Sequence, residues 1–168
     1  MSDLSLKEQL QPSLLDRLID HEPQQANESH QRRAATLEEI RDSVIRDLNW
    51  LFNVEDLGAV HDLSTFPHIK ESVLNYGVSS VSGRTVGGMG KKDIEVLVRD
   101  SIRHFEPRIL PETLEVRANL HPDTYSQHAI VLEIVADLWA HPLPIQLFLQ
   151  TEIDIDSGKV VVKASDNN

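Results

Sequence analysis

The 168-residue chain has no cysteine. That excludes a disulfide framework, a thiol nucleophile and any Cys-based zinc or iron–sulfur site. Aromatic side chains make up only 5% of it, with two Trp and two Tyr, which leaves little for a sugar-stacking floor. No run approaches the ~20 apolar residues of a membrane helix. The longest candidate, Ala129 to Ala140, is cut by Glu133 and Asp137, so no direct membrane insertion is expected. The start, Met1-Ser-Asp-Leu-Ser-Leu-Lys-Glu, lacks a basic stretch followed by an apolar one. No secretory signal is therefore expected, and the location expected is cytoplasmic.

What the chain does have is acid. Its net charge is −11, which disfavours nucleic acid and anionic membrane as partners. The charge is uneven. Residues 1–60 carry 12 acids and 6 bases, residues 61–110 carry 6 and 7, and residues 111–168 carry 9 and 3. A near-neutral middle lies between two acidic ends, a pattern that ordinary surface solubility also explains.

Hydrophobic periodicity divides the chain into helices first and strands last. Residues 1–35 read as a mobile segment with a short helix at 13–20, whose stripe is Leu14, Leu15, Leu18 and Ile19. Residues 36–168 read as one domain. Thr36-Leu37-Glu38-Glu39 is a capping box. Behind it Ile40, Val44, Ile45, Leu48, Leu51 and Phe52 follow a helical period. Pro67 is placed to open a helix through Tyr76, closed by Gly77. After a Gly/Ser-rich loop at 78–90, a third helix is predicted from Lys92 to His104, with Glu95 and Arg99 as an i,i+4 pair. Its core face is Ile94, Leu97, Val98 and Ile102, followed by Phe105.

From there alternation takes over. Leu114, Val116, Ala118 and Leu120 alternate, and His121-Pro122-Asp123 turns the chain. Ile130, Leu132, Ile134, Ala136 and Leu138 follow, with Val131 and Val135 on the other face as in a well-covered central strand. The longest alternation is Ile145, Leu147, Leu149, Thr151, Ile153 and Ile155. Asp156-Ser157-Gly158 then turns into Val160 and Val162. The class is α+β: N-terminal helices packed on a C-terminal antiparallel sheet that ends in a β-hairpin.

The chain carries little of the residue patterning that catalytic or metal chemistry needs. The eight histidines show no His-x-x-x-His or His-Glu-x-x-His spacing, so no metal site is expected. Asp154-x-Asp156-x-Gly158 lacks the further ligands of a calcium loop and reads as a turn. Gly83 and Gly88 have the spacing of a phosphate loop, but Met89 stands where its lysine belongs. No cofactor is expected. Glu133 and Asp137 on one strand face would lie ~13 Å apart, too far for a glycosidase pair. Glu106 is the acid of most interest, sitting where a helix meets Pro107. Arg108 beside it would lower its pKa and make it a poor general acid.

The ordered set of motifs resembles TssE, the baseplate subunit of bacterial type VI secretion systems. That family belongs with the contractile-phage baseplate wedge protein described as lysozyme-like. The resemblance runs from about 14 to 162. It is carried by Leu14-Leu15-Asp16-Arg17-Leu18 with Pro23, and by Ser43-Val-Ile-Arg46-Asp-Leu48-Asn-Trp50-Leu51. Ser72-Val-Leu-Asn75-Tyr76-Gly77 and Ser82-Gly83 follow, then Phe105-Glu-Pro-Arg108-Ile-Leu110. The last stretch runs from Phe148 through Thr151, Ile153 and Asp154 to Ser157-Gly158.

The resemblance implies assembly without chemistry. It implies a place in the wedge with TssF, TssG and TssK, at the cytoplasmic face of the inner membrane, and the start of a sheath built from TssB and TssC. It assigns wedge-core docking to Glu106, Pro107 and Arg108, with Phe105 packing beneath. A helix end with a local ion pair explains the same tetrapeptide without a partner. The terminal hairpin suggests a second surface, in which Ile145, Leu147, Leu149, Val160, Val161 and Val162 accept strands from sheath subunits. A capped edge guarded by Lys159 and Lys163 is the plainer reading. Proline at Val161 is expected to block strand addition and spare the fold. The alternative function is a peptidoglycan-degrading lysozyme-like hydrolase using Glu106 as general acid.

Overall fold

Thr36 starts the first long helix as its sequence demands. In the computed structural model its hydroxyl accepts from the Glu39 amide at 3.1 Å, and the Glu39 carboxylate accepts from the Thr36 amide at 2.7 Å. The structure describes residues 12–19, 36–79, 90–119, 129–139 and 144–165. The turn expected at His121–Asp123 and the loop residues 80–89 lie outside them, as does the expected segment 1–35 apart from 12–19.

Helices α1 (Leu14–Leu18), α2 (Leu37–Phe52), α3 (Pro67–Lys70) and α4 (Lys91–Phe105) precede strands β1 (Glu115–Asn119), β2 (Ala129–Leu138), β3 (Ile145–Asp154) and β4 (Val160–Ala164). The strands form one antiparallel sheet in the order β1-β2-β3-β4. The expected class, α+β with helices first and a closing hairpin, is what the chain forms.

Alternation on the strands turns one sheet face inward. Val116, Ala118, Ile130, Leu132, Ile134, Ala136, Leu138, Leu147, Leu149, Thr151, Ile153, Val160 and Val162 are all buried. The helices lie on that face, α4 against β1 and α2 against β4. Val44, Leu48, Leu51 and Phe52 from α2 meet Ile94, Val98 and Ile102 from α4 in the same core. Each fully buried aliphatic side chain contributes about 1.5–3 kcal/mol, so this shared layer is the main reason the helices stay on the sheet. The opposite face is not the covered one the sequence suggested. Val131 and Val135 are half-buried and Glu133 between them is exposed.

Two further expectations change. The helix read from Pro67 to Tyr76 breaks into α3 and a 3-10 turn at Val73–Asn75. The Ser72 hydroxyl accepts the Leu74 amide and so caps the turn locally. Gly77 sits at φ +135° and lets Val78 donate its amide to Val54 O at 2.8 Å. Glu95 does not pair with Arg99. Its carboxylate accepts from the Ala118 amide at 2.8 Å, across to β1.

Candidate functional site

The geometry around Pro107 follows from where α4 ends. A proline cannot continue a helix and pushes its predecessor out of the α region, and Glu106 caps α4 at φ −121°, ψ 81°. The chain then doubles back on the end of β2. The Leu110 amide donates to Asp137 O at 2.8 Å and the Trp139 amide to Arg108 O at 2.7 Å, with Ile109 bridged to Leu138. The segment is thus stitched to the sheet on one side. Phe105, half-buried, sets its ring edge-on to Tyr76 with centroids 5.3 Å apart.

Glu106 is 4% exposed, so its charge requires a partner. Arg108 supplies one in a two-pronged contact, Nε to Oε1 at 2.6 Å and a terminal nitrogen to Oε2 at 2.5 Å. The Arg108 amide also donates to Oε1 at 3.1 Å. The same guanidinium reaches α2, donating to the Asp47 carboxylate at 2.6 Å and the Ser43 hydroxyl at 3.0 Å. Burial works against the Arg108 charge, but the Glu106 and Asp47 carboxylates outweigh it and hold its pKa above the usual arginine range. Tyr76, whose hydroxyl donates to Asp47 O at 3.5 Å, has its pKa raised by burial and by the charges of Asp47 and Glu106.

The network runs on to the N-terminal helix. Asp47 also accepts from Arg46 Nε at 3.0 Å, and Arg46 pairs with the Asp16 carboxylate of α1. The Arg46 guanidinium lies 5.3 Å from the centroid of the Trp50 ring, a cation–π distance. Bonding to Arg46 holds the Asp16 carboxyl below its usual range against partial burial, with Ser13 assisting. An ionic chain therefore connects α1, α2 and the Phe105–Arg108 corner. The apolar stripe read on α1 does not face the core: none of its residues is buried, and Leu14 and Leu18 are largely exposed.

The hairpin residues divide. Leu147, Leu149, Val160 and Val162 point their side chains into the core, while Ile145 and Val161 are half-buried. The outward backbone groups of Val160 and Val162 on β4 are already engaged. Asn49 donates to Val162 O at 3.1 Å and accepts from its amide at 2.9 Å. Asn53 does the same for Val160, at 2.8 and 3.0 Å. Two amides one helical turn apart thus imitate a fifth strand. This corrects the expectation that Val160 and Val162 offer a free edge. The amide of Val161 faces β3 opposite Glu152, so proline there would break the ladder instead of sparing the fold. The Lys159 and Lys163 guard is unnecessary where asparagine closes the edge.

Nothing local in the sequence marks these partners individually. Ser43, Asp47, Asn49 and Asn53 are polar positions on the flanks of an amphipathic helix, where solvent is the ordinary destination. Their spacing of four, Ser43 with Asp47 and Asn49 with Asn53, was the one available signal. Among the described residues no three His, Asp or Glu side chains cluster to hold a metal ion. No helix among them is long and apolar enough to cross a membrane.

Glu106 and Arg108 are thus both held by contacts within the chain. Comparison with family models shows that the chain belongs to the family of the baseplate wedge protein gp25, whose model matches residues 38–143. Membership supports a structural role in a baseplate, in assembly with other baseplate components. The matched stretch contains α2, α4, Glu106–Arg108, β1 and β2, and stops before β3. No curated protein and no solved structure matched the chain.

Proposed function

We propose that the protein is the TssE-type subunit of a type VI secretion baseplate wedge. It docks on the wedge core through the Phe105–Arg108 corner, beside TssF, TssG and TssK at the cytoplasmic face of the inner membrane. It initiates the contractile sheath by accepting an extended strand from TssB or TssC at the C-terminal sheet, outside the stretch of β4 that Asn49 and Asn53 close. The observation that carries the reading is the division of labour at the corner. Glu106 and Arg108 lock each other and α2, while Pro107 between them stays exposed. A rigid, solvent-facing bend of this kind docks with little loss of conformational entropy.

The same geometry counts against hydrolysis. A general acid must reach the oxygen it protonates, yet both oxygens of the 4% exposed Glu106 carboxylate are held by Arg108. The test is sheath assembly from purified TssB and TssC on wedge complexes prepared with and without this protein. Sheaths are expected only with it. Equal assembly in its absence overturns the initiation role.

A further inference from the structure

Five polar side chains are buried among the described residues: Ser43, Asn75, Ser101, Glu106 and Thr151. Four of them have partners. The two serines of α2 and α4 donate back to carbonyls of their own helices, Ser43 to Ile40 O at 2.8 Å and Ser101 to Leu97 O at 2.9 Å. Asn75 donates to Lys70 O at 3.0 Å, and Glu106 is held by Arg108. Thr151 is the exception. It is 0% exposed, and its hydroxyl oxygen is shielded from solvent with no hydrogen-bond partner among the described residues.

Strand geometry explains the difference. A helix offers a hydroxyl the carbonyl one turn back. The carbonyls around Thr151 are instead engaged in the ladders that set it opposite Leu132 of β2 and Val162 of β4. Thr151 is also the one polar residue among the buried positions of β3, in line with Leu147, Leu149 and Ile153. A buried hydroxyl without a partner is destabilising, and such groups in folded proteins are met by protein or by ordered water.

Space for a partner lies beside it. Thr151 lines a cavity of about 40 Å³ together with Phe52 of α2, Val98 of α4, Leu132, Val160 and Ser79. One water needs roughly 10–15 Å³ and at least two polar neighbours, whereas a purely apolar cavity stays dry. Ser79 is the second polar side chain here. Its hydroxyl donates to Asp56 Oδ2 at 2.9 Å, so its oxygen keeps the capacity to accept.

We propose that this cavity is a hydration site, in which an ordered water is held between the Thr151 hydroxyl and Ser79. The water completes the hydrogen bonding of the inner face of β3 and ties the sheet to the segment Val78–Ser79. That segment is otherwise fastened to the turn after α2, by the Val78 amide on Val54 O at 2.8 Å and by Ser79 on Asp56. The volume is too small for an organic ligand, and no charged side chain lines it to hold an ion.

Two measurements on the full chain test the site: a crystal structure at a resolution that shows ordered water, and the melting temperature of Thr151→Val. Water density is expected within hydrogen-bond distance of both Thr151 Oγ1 and Ser79. Valine keeps the shape and the strand preference of threonine and removes only the hydroxyl. With water bound, Thr151→Val loses a satisfied hydrogen bond and is expected to melt about 2–4 °C lower. With a dry cavity, the same substitution deletes an unpaired hydroxyl and leaves the melting temperature equal or higher. Absence of the density, or an unchanged or raised melting temperature in Thr151→Val, overturns the site.

Discussion

Asn49 on α2 takes both outward backbone groups of Val162 on β4, its amide nitrogen donating at 3.1 Å and its oxygen accepting at 2.9 Å. A side chain here does the work of a strand. With Asn53 on Val160, it closes the first half of an edge that would otherwise be open to pairing with another chain. Removing either amide leaves a half-buried N–H and C=O without partners. Asn49→Ala and Asn53→Ala should each cost about 1–3 kcal/mol, measured by urea unfolding. The double variant should also scatter more light at equal concentration, because its β4 edge is bare.

Arg108 and Glu106 form the second dependency. Arg108→Ala strands a buried carboxylate and should cost about 3–5 kcal/mol. Glu106→Gln keeps the shape and loses the charge, so it should cost less. Because the two side chains share one contact, the double variant should be less destabilised than the sum of the singles. Denaturation of all three variants checks the ordering.

Much of this architecture was legible in the sequence, and the physical reasons are particular. Thr36 and Glu39 sit three apart before an apolar period, so local hydrogen bonding alone starts α2. Alternation from Ile130 and from Ile145 marked the buried face of β2 and β3 correctly, because strand periodicity reports which face is covered. It did not report what closes the edges, since that depends on α2 arriving beside β4 with Asn49 and Asn53 turned inward. The Glu106–Arg108 pair was visible as neighbours. Its tie to Ser43 and Asp47, 65 and 61 residues earlier, was not, because nothing local distinguishes these from solvated positions. For α1 the apolar stripe misled: five residues bury too little to dock, and the ion pair through Asp16 holds the helix.

That ion pair makes the attachment of α1 sensitive to acid. The Asp16 carboxyl is depressed in the folded chain. Its contribution is therefore fully present above the usual carboxylate pKa of 3.8 and is lost as pH falls through the lower folded value. Trp50 reports the loss, since Arg46 stacks on it. Its fluorescence should change in that acid window in the native protein. In Asp16→Asn it should already resemble the low-pH form at neutral pH.

Gly77 is fixed by space as well as by φ. A Cβ there would lie 2.5 Å from Val54 O and 2.9 Å from the Asp56 amide, at a φ of +135°. Gly77→Ala should cost about 3 kcal/mol or more. Thermal unfolding should show it, with Gly58→Ala far milder because its nearest neighbours are 3.6 Å or more away.

In the proposed function, the Phe105–Arg108 corner is a preformed docking bend whose charges serve the fold and whose exposed proline meets the wedge. The most direct measurement is the affinity of the full-length protein for purified TssF–TssG complex, comparing the native chain with Pro107→Asp. The variant is expected to keep its fold by circular dichroism and to lose binding by at least about tenfold, or ~1.4 kcal/mol. Equal affinity of the two folded proteins would contradict it.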